Sequence, residues 1–338
     1  MNSNSELMDA AEGVIEKRGK AVLEKAIHEI LSFQYNGGII SSALEYFATV
    51  TLRGVLPVFP ALLSLSCEAV GGKTDRTTSV GAALVLVAGA ADIHDDIIDQ
   101  SQVKYSKKTV FGKFGSTVAL LAGDELLMQG LILLQRECEL LSKKRRETIL
   151  NLLYRALVEI SQAEAKEAQL MKKTEVNPKE YFELIREKAV VPELHCKIGS
   201  ILGNGDDSTV EALGHYGRTF GIVSLVREEF IDLLEYPELR NRLTNECPPL
   251  PLLYALQNSE IKKEVKSLIE SSNLTKKSAS RIAKIVLDSE EVEELRKDMN
   301  LRVEEELRQL PFTLVDNIKT EARLILKVIA KGFQTEIL

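Results

Sequence analysis

Apolar residues recur at helical spacing along almost the whole of this 338-residue chain, and no segment of five or six residues alternates cleanly between turn signals. Stretches such as "ELMDAAEGVIEKRGKAVLEKAIHEILSF" and "RRETILNLLYRALVEISQAEAKEAQLM" return to apolar residues every three or four positions, the period of a helix that buries one face. An all-α fold is therefore expected. Composition agrees, because Leu, Ile, Ala, Glu and Lys dominate, Trp is absent and aromatic residues make up only 5%. Breaks fall at Asn36–Gly38, Gly71–Thr78, Ser101–Thr109, Gly203–Ser208 and Tyr236–Pro251, and none is long enough to link domains. With no fixed-period repeat, residues 1–338 are expected to form a single-domain helical bundle of about a dozen helices.

Charge and cysteine usage narrow the function classes. A formal net charge of -7 argues against a general nucleic-acid binder, and "KKRR" at Lys143–Arg146 reads as a solvated helix face beside "ECELLS" and "ETIL". Cys67, Cys138, Cys196 and Cys247 form no CxxC pair, so neither a zinc site nor a disulfide framework is expected and a reducing cytoplasm fits. The first twenty residues lack an apolar signal core, and the longest uncharged run, Thr77–Ala91, is short and rich in Gly and Ala. No targeting or transmembrane segment is expected.

The sharpest local feature is "ADIHDDIIDQ", which follows "GAALVLVAGA" without a break. Asp92, Asp95, Asp96 and Asp99 stand at i, i+3, i+4 and i+7, so their carboxylates line one stripe of a helix. Like charges so placed repel, more strongly once desolvated, and a cation is the natural remedy. Magnesium prefers oxygen ligands, keeps several waters and usually shares a phosphate-bearing substrate, so half a cage on one helix suits it. A solvated acidic helix end is the bland alternative. A second stripe in "YGRTFGIVSLVREEFIDLLE", with Glu228, Asp232 and Glu235 at i, i+4 and i+7, tips the balance toward two carboxylate sets holding metal ions around a leaving diphosphate. His94 adjoins the first stripe, and His28, His195 and His215 form no sequence-local ligand set. "GGK" at Gly71–Lys73 reads as a turn rather than a phosphate loop.

These motifs, taken in order, resemble the trans-type prenyl diphosphate synthase (polyprenyl synthetase) family. "DIHDDIIDQSQVKYSKKTVFGKFGSTVALLAGDELL" is similar to the family's first aspartate-rich region with its following Arg-Arg-Gly, Thr-Val, Phe-Gly and Ala-Gly-Asp-x-Leu-Leu elements. "YGRTFGIVSLVREEFID" resembles the second region, "EYFELIREKAVVPELHCKIGSIL" the helix carrying a Lys-Thr pair, and "LRQLPFTLVDNIKTEARLILKVIAKGF" the C-terminal helices. The resemblance implies an isoprenoid-synthase bundle around a central apolar cavity, two or three magnesium ions bound with diphosphate, and a homodimer or a heterodimer with a related synthase.

It also implies roles for particular residues. Asp95, Asp96 and Asp99 match first-region metal ligands, Glu228 and Asp232 second-region ligands, and Lys104 and Lys188 cationic contacts to an allylic prenyl diphosphate; Asp95, Asp99 and Lys188 are the expected catalytic set. Lys104 stands for the first Arg of the family's pair and Glu228 for an Asp, changes that keep the charge and alter the reach. Other positions depart. Ser224-Leu225 stands for Phe-Gln, Ala189 for Thr and Cys247 for a Lys. In the acceptor site for isopentenyl diphosphate, Arg53 stands for a Lys, but Leu56, Ala88 and Tyr105 replace polar anchors. Each missing charge-assisted contact costs roughly 1.5–3 kcal/mol, which would weaken acceptor binding by orders of magnitude. Val87, Ala90 and Ala91 lie one to two turns before Asp95, where small side chains leave room for a prenyl chain of about twenty carbons or more. The leading expectation is a magnesium-dependent prenyltransferase. A non-catalytic subunit of a heteromeric synthase, and a one-substrate cyclase or a prenyltransferase with another acceptor, stay open beside it.

Overall fold

The computed structural model describes residues 2–32, 37–104, 106–171, 175–270, 274–311 and 314–331. Tyr105, expected above to replace an acceptor anchor, lies outside them, as does Asn36. The described residues are all-α apart from one small hairpin. In chain order α1 is Asn2–Ser32, α2 Ile39–Tyr46, α3 Val58–Ala69, α4 Asp75–Ile98, α5 Val110–Phe114, α6 Ser116–Cys138, α7 Lys143–Leu170 and α8 Pro178–Lys188. There follow α9 Val190–Leu202, α10 Asp207–Leu234, α11 Tyr236–Asn245, α12 Leu250–Ala255, α13 Ser259–Glu270, α14 Lys276–Leu287, α15 Glu290–Gln309 and α16 Asp316–Lys331. A π-helical turn, Phe47–Leu52, continues α2, and the two-residue strands β1 (Val103–Lys104) and β2 (Lys107–Lys108) pair antiparallel.

Sixteen helices exceed the dozen expected, and the surplus lies in short pieces. Tyr236–Pro251, read as a break for its prolines, contains α11 and the start of α12, because Pro237 and Pro251 fall in first turns, where a missing amide costs no helical bond. Pro178 opens α8 in the same way, with the Asn177 side chain capping the Lys179 amide. Thr275 and Ser278 form a reciprocal capping box at the start of α14.

The described chain divides into two compact units, one of residues 1–158, 191–217 and 310–324, the other of 159–190, 218–309 and 325–338. In the first, α4 packs on α6 and α1 on both α3 and α4. Leu84, Leu86, Ile93 and Leu126 are fully enclosed there. The helices α4 and α6 approach closely because glycine faces bulk: a Cβ on Gly130 would sit 2.8 Å from the Val87 side chain. Both are long and apolar enough to cross a membrane by length and composition, and 67% of the α4 window is buried against the rest of the protein, as in a core helix. In the second unit Phe230, Leu239, Ile282, Val286, Leu295 and Met299 form the core, and the Arg296 guanidinium lies 5.4 Å from the Phe230 ring centroid.

Candidate functional site

The first acidic stripe ends α4. Asp92, Asp95 and Asp96 lie in its last two turns, and Asp99 caps it, its amide donating to Asp95 O over 2.9 Å. The chain then reverses: Gln100 takes a left-handed φ of 57°, the hairpin turns at Ser106, and Thr109 closes the loop by donating its hydroxyl to Ser101 O (2.7 Å) and its amide to Gln102 O (3.0 Å). Gly112 makes this closure possible, since a Cβ there would lie 2.0 Å from Gln102 O. The hairpin also braces on α2 and the π-helical turn, through Tyr46 donating to Lys108 O (2.7 Å) and Lys107 to Val50 O (3.1 Å).

This loop carries Lys104 back to the aspartates. Its ammonium sits 2.8 Å from Asp96 Oδ1, 3.5 Å from Asp95 Oδ2 and 3.7 Å from Asp92 Oδ1. Burial works against the charged ammonium, yet the three carboxylates outweigh it and hold Lys104 above the ordinary lysine range. Burial pushes the Asp96 carboxyl up to about 7, with Lys104 opposing the rise. The Asp95 Oδ1 atom is buried without a hydrogen-bond partner among the described residues. A buried orphan oxygen in a carboxylate set that already attracts a cation fits a divalent ion sharing its shell with phosphate oxygens. Among the described residues no three His, Cys, Asp or Glu side chains already converge as a ligand set. His94 lies 3.3 Å from Asp124, and Gly123 admits its ring, since a Cβ there would lie 2.4 Å from His94 Nε2.

The second unit contains the other half of the sequence-derived set, in a different state. Glu228 is half-buried and 3.4 Å from Arg227, and burial holds its carboxyl above the usual range, with Arg227 opposing the rise. Glu229 and Asp232 turn toward Arg242 of α11. Arg242 Nη1 donates to Asp232 Oδ2 (2.6 Å), Nη2 to Tyr181 Oη (2.7 Å) and to Glu229 Oε2 (3.0 Å), and Nε to Cys247 O (2.8 Å). Glu229 also accepts from the Leu250 amide (2.7 Å). Burial raises Asp232 to about 6 and Glu246 to about 7, Arg242 opposing both shifts.

Lys188, at the end of α8, is 2.9 Å from Glu164 and is also paired with Glu167, whose carboxyl the lysine holds below the usual range despite burial. The Tyr181 hydroxyl stands 3.0 Å from Glu167 and 3.1 Å from Glu229, joining the Lys188 and Arg242 groups into one network. Sequence reasoning missed Arg242, Tyr181, Glu164, Glu167 and Glu246. Arg242 does stand seven residues after Glu235, but it lies on α11 and not on the helix of the stripe, so its contacts with Glu229 and Asp232 come from the turn between the two helices and not from that spacing.

Of the remaining expected positions, Arg53 is exposed at the end of the π-helical turn, followed by Gly54 at a φ of 89°. Val87 and Ala90 are buried, Val87 against Gly130, while Ala91 and Ala88 are half-buried.

Residues 50–286 match the polyprenyl synthetase family. The geranylgeranyl diphosphate synthase of Methanosarcina mazei is 30% identical over 190 residues, which is 54% of this chain and 56% of that protein. The matched part thus spans little more than half of that relative's length. Heptaprenyl diphosphate synthase component 2 of Bacillus subtilis is 22% identical, over 92% of this chain and 86% of its own. Among solved structures, a geranylgeranyl pyrophosphate synthetase from Pyrococcus horikoshii superposes with a TM-score of 0.80 at 20% identity, over 96% of this chain and 98% of its own, a likeness of fold. The family match covers the hairpin that returns Lys104 to the aspartates and both acidic stripes, and on that match this chain belongs to the polyprenyl synthetase family.

Proposed function

We propose that the protein is a magnesium-dependent prenyltransferase that ionises a long-chain allylic prenyl diphosphate, with residues 1–338 acting as one domain in the cytoplasm. The observation that carries this is the end of α4, where three aspartates surround a cation supplied by the chain and one buried carboxylate oxygen of Asp95 has no partner. Asp95, Asp96 and Asp99 would hold magnesium there, and the metal supplies positive charge to the departing diphosphate. Lys104, tethered by the hairpin beside the same aspartates, would supply a cationic contact to the diphosphate. Lys188, paired with Glu164 and Glu167, would be a further cationic contact to the diphosphate by the family resemblance alone. The prenyl tail would run back along the half-buried Ala91 face.

The acceptor is where the reading divides. Arg53 is the one acceptor cation kept, which disfavours tight isopentenyl diphosphate binding. The near full-length likeness to a protein named as component 2 of a heptaprenyl synthase supports a second reading, a subunit that works with a related chain. One experiment separates them. The purified protein is incubated with magnesium and geranylgeranyl diphosphate, with and without isopentenyl diphosphate, and diphosphate release and product length are measured. Release that needs isopentenyl diphosphate supports elongation, and release without it supports cyclisation or another acceptor. No release alone, but activity on mixing with a partner synthase, supports the subunit reading.

A further inference from the structure

The two acidic stripes hold their cations in physically different ways. Lys104 is a single ammonium on a flexible stem, 30% exposed, with one carboxylate oxygen within 3.0 Å. A divalent ion can displace it. Arg242 is 8% exposed and spends donors from every guanidinium nitrogen: Nη1 on Asp232, Nη2 on Glu229 and Tyr181, Nε on Cys247 O, with Glu246 Oε2 a further 3.2 Å from Nε. Its planar fork carries five N–H donors in a fixed geometry, against the three rotatable donors of an ammonium on a flexible stem. Freeing Asp232 for a metal would break the 2.6 Å bond and leave a buried guanidinium facing the added positive charge of the ion. Freeing Glu229 would also release the Leu250 amide and the Tyr181 hydroxyl.

We infer that the second acidic stripe of this chain carries no metal ion, and that Arg242 is its resident cation, pinning α10 to the 247–250 segment. The inference rests on the proposed diphosphate chemistry and alters it, since ionisation would then draw on metal held by the first stripe alone. Arg242 acts here as a positioning residue: through Cys247 O, and through Glu229 to the Leu250 amide, it fixes the segment where the family resemblance places a lysine and this chain has Cys247. Glu228, half-buried in the same stripe, pairs with Arg227 rather than with Arg242 and has Glu229 and Glu235 as further charged neighbours.

The test counts metal rather than turnover. Manganese binding to the full chain in the presence of inorganic diphosphate is followed by the electron paramagnetic resonance of free Mn2+, for the wild type, Asp95→Asn, Asp232→Asn and Glu228→Gln. Asp232→Asn and Glu228→Gln are expected to keep the wild-type number of bound ions with affinity changed less than twofold, while Asp95→Asn binds at least tenfold more weakly. Glu228 is 46% exposed, so its variant folds even if loss of the Asp232 charge disturbs the network. Loss of one manganese equivalent in either second-stripe variant, with a wild-type circular dichroism spectrum, overturns the inference. Full binding in all three variants keeps it and instead removes the first stripe as the metal site.

Discussion

Replacing Lys104 by methionine keeps an unbranched side chain, one heavy atom shorter, and deletes the charge that the first stripe now shares. Lys104 is 30% exposed and its nearest partner Asp96 is 6% exposed, so the pair lies between a surface bridge and a buried one. Breaking a fully buried pair costs about 3–5 kcal/mol and a surface pair about 0–1, which places this loss at about 2–3 kcal/mol. For a chain of this length, an unfolding entropy of about 2 cal/mol/K per residue converts that loss to a melting point roughly 3–4 °C lower. The measurement is thermal unfolding by circular dichroism at pH 8, in EDTA and in magnesium chloride without diphosphate. In EDTA, Lys104→Met melts lower by that margin. In magnesium at roughly ten times its dissociation constant the variant recovers about 1.4 kcal/mol, because the vacated carboxylates bind the ion without competition. The wild type, with Lys104 in place, shifts by less. A variant that melts like the wild type in EDTA would refute the ion-pair argument, and one that magnesium fails to stabilise would refute metal binding at the vacated carboxylates.

Three further outcomes follow from other parts of the structure. His195 is buried, with Nδ1 donating to Val191 O at 2.8 Å, and burial lowers its pKa to about 4, so the unfolded chain takes up a proton that the folded chain refuses. Its contribution is flat above pH 7 and falls with acidification from about 6.5 toward 4; between pH 7 and pH 5 the wild type should lose about 2 kcal/mol more than His195→Gln, and parallel denaturant titrations of the two would refute this. Gly112→Ala drives a Cβ to 2.0 Å from Gln102 O and should displace the hairpin bearing Lys104, weakening manganese–diphosphate binding several-fold. Gly13→Ala, with nothing within 4 Å on α1, should leave binding untouched and stabilise by about 0.5–1 kcal/mol, and equal effects of the two glycine changes would refute the steric account. Ala91→Phe should shorten the longest product formed or the longest prenyl diphosphate bound, and unchanged chain length by mass spectrometry would remove Ala91 from the tail path.

The helices were legible from period alone because burial of one face writes itself every three to four residues, and the aspartate stripe was legible because its members share one helix. The loop after it reads as a break by composition, and only the family resemblance gave Lys104 a role. That it returns a lysine to the stripe depends on the left-handed turn at Gln100 and on the absence of a Cβ at Gly112, which act over a hairpin and leave no periodic trace. Val87 and Ala90 show the limit of spacing from the other side: it places both before Asp95 on α4, but burial, with Val87 against Gly130 of α6, is set by a partner helix that the period of α4 does not record.

The second stripe shows why counting carboxylates by spacing overstates what a metal can use. Glu228, Glu229 and Asp232 carry the same formal charge, yet each has its own partners: Arg227 for the first; Arg242, Tyr181 and the Leu250 amide for the second; Arg242 for the third. A carboxylate already bonded to a buried guanidinium offers a metal only what remains after that bond is broken and the guanidinium left unpaired, a cost of several kcal/mol in a dry environment. Glu228, half-buried beside Arg227, has a carboxyl that burial raises above the usual range, so it meets a metal on terms of its own. Neither condition is set by residue type or by i, i+4 spacing. The bond that occupies Asp232 comes from Arg242, ten positions further on and on a separate helix, α11, that begins where the sequence reads as a proline-containing break.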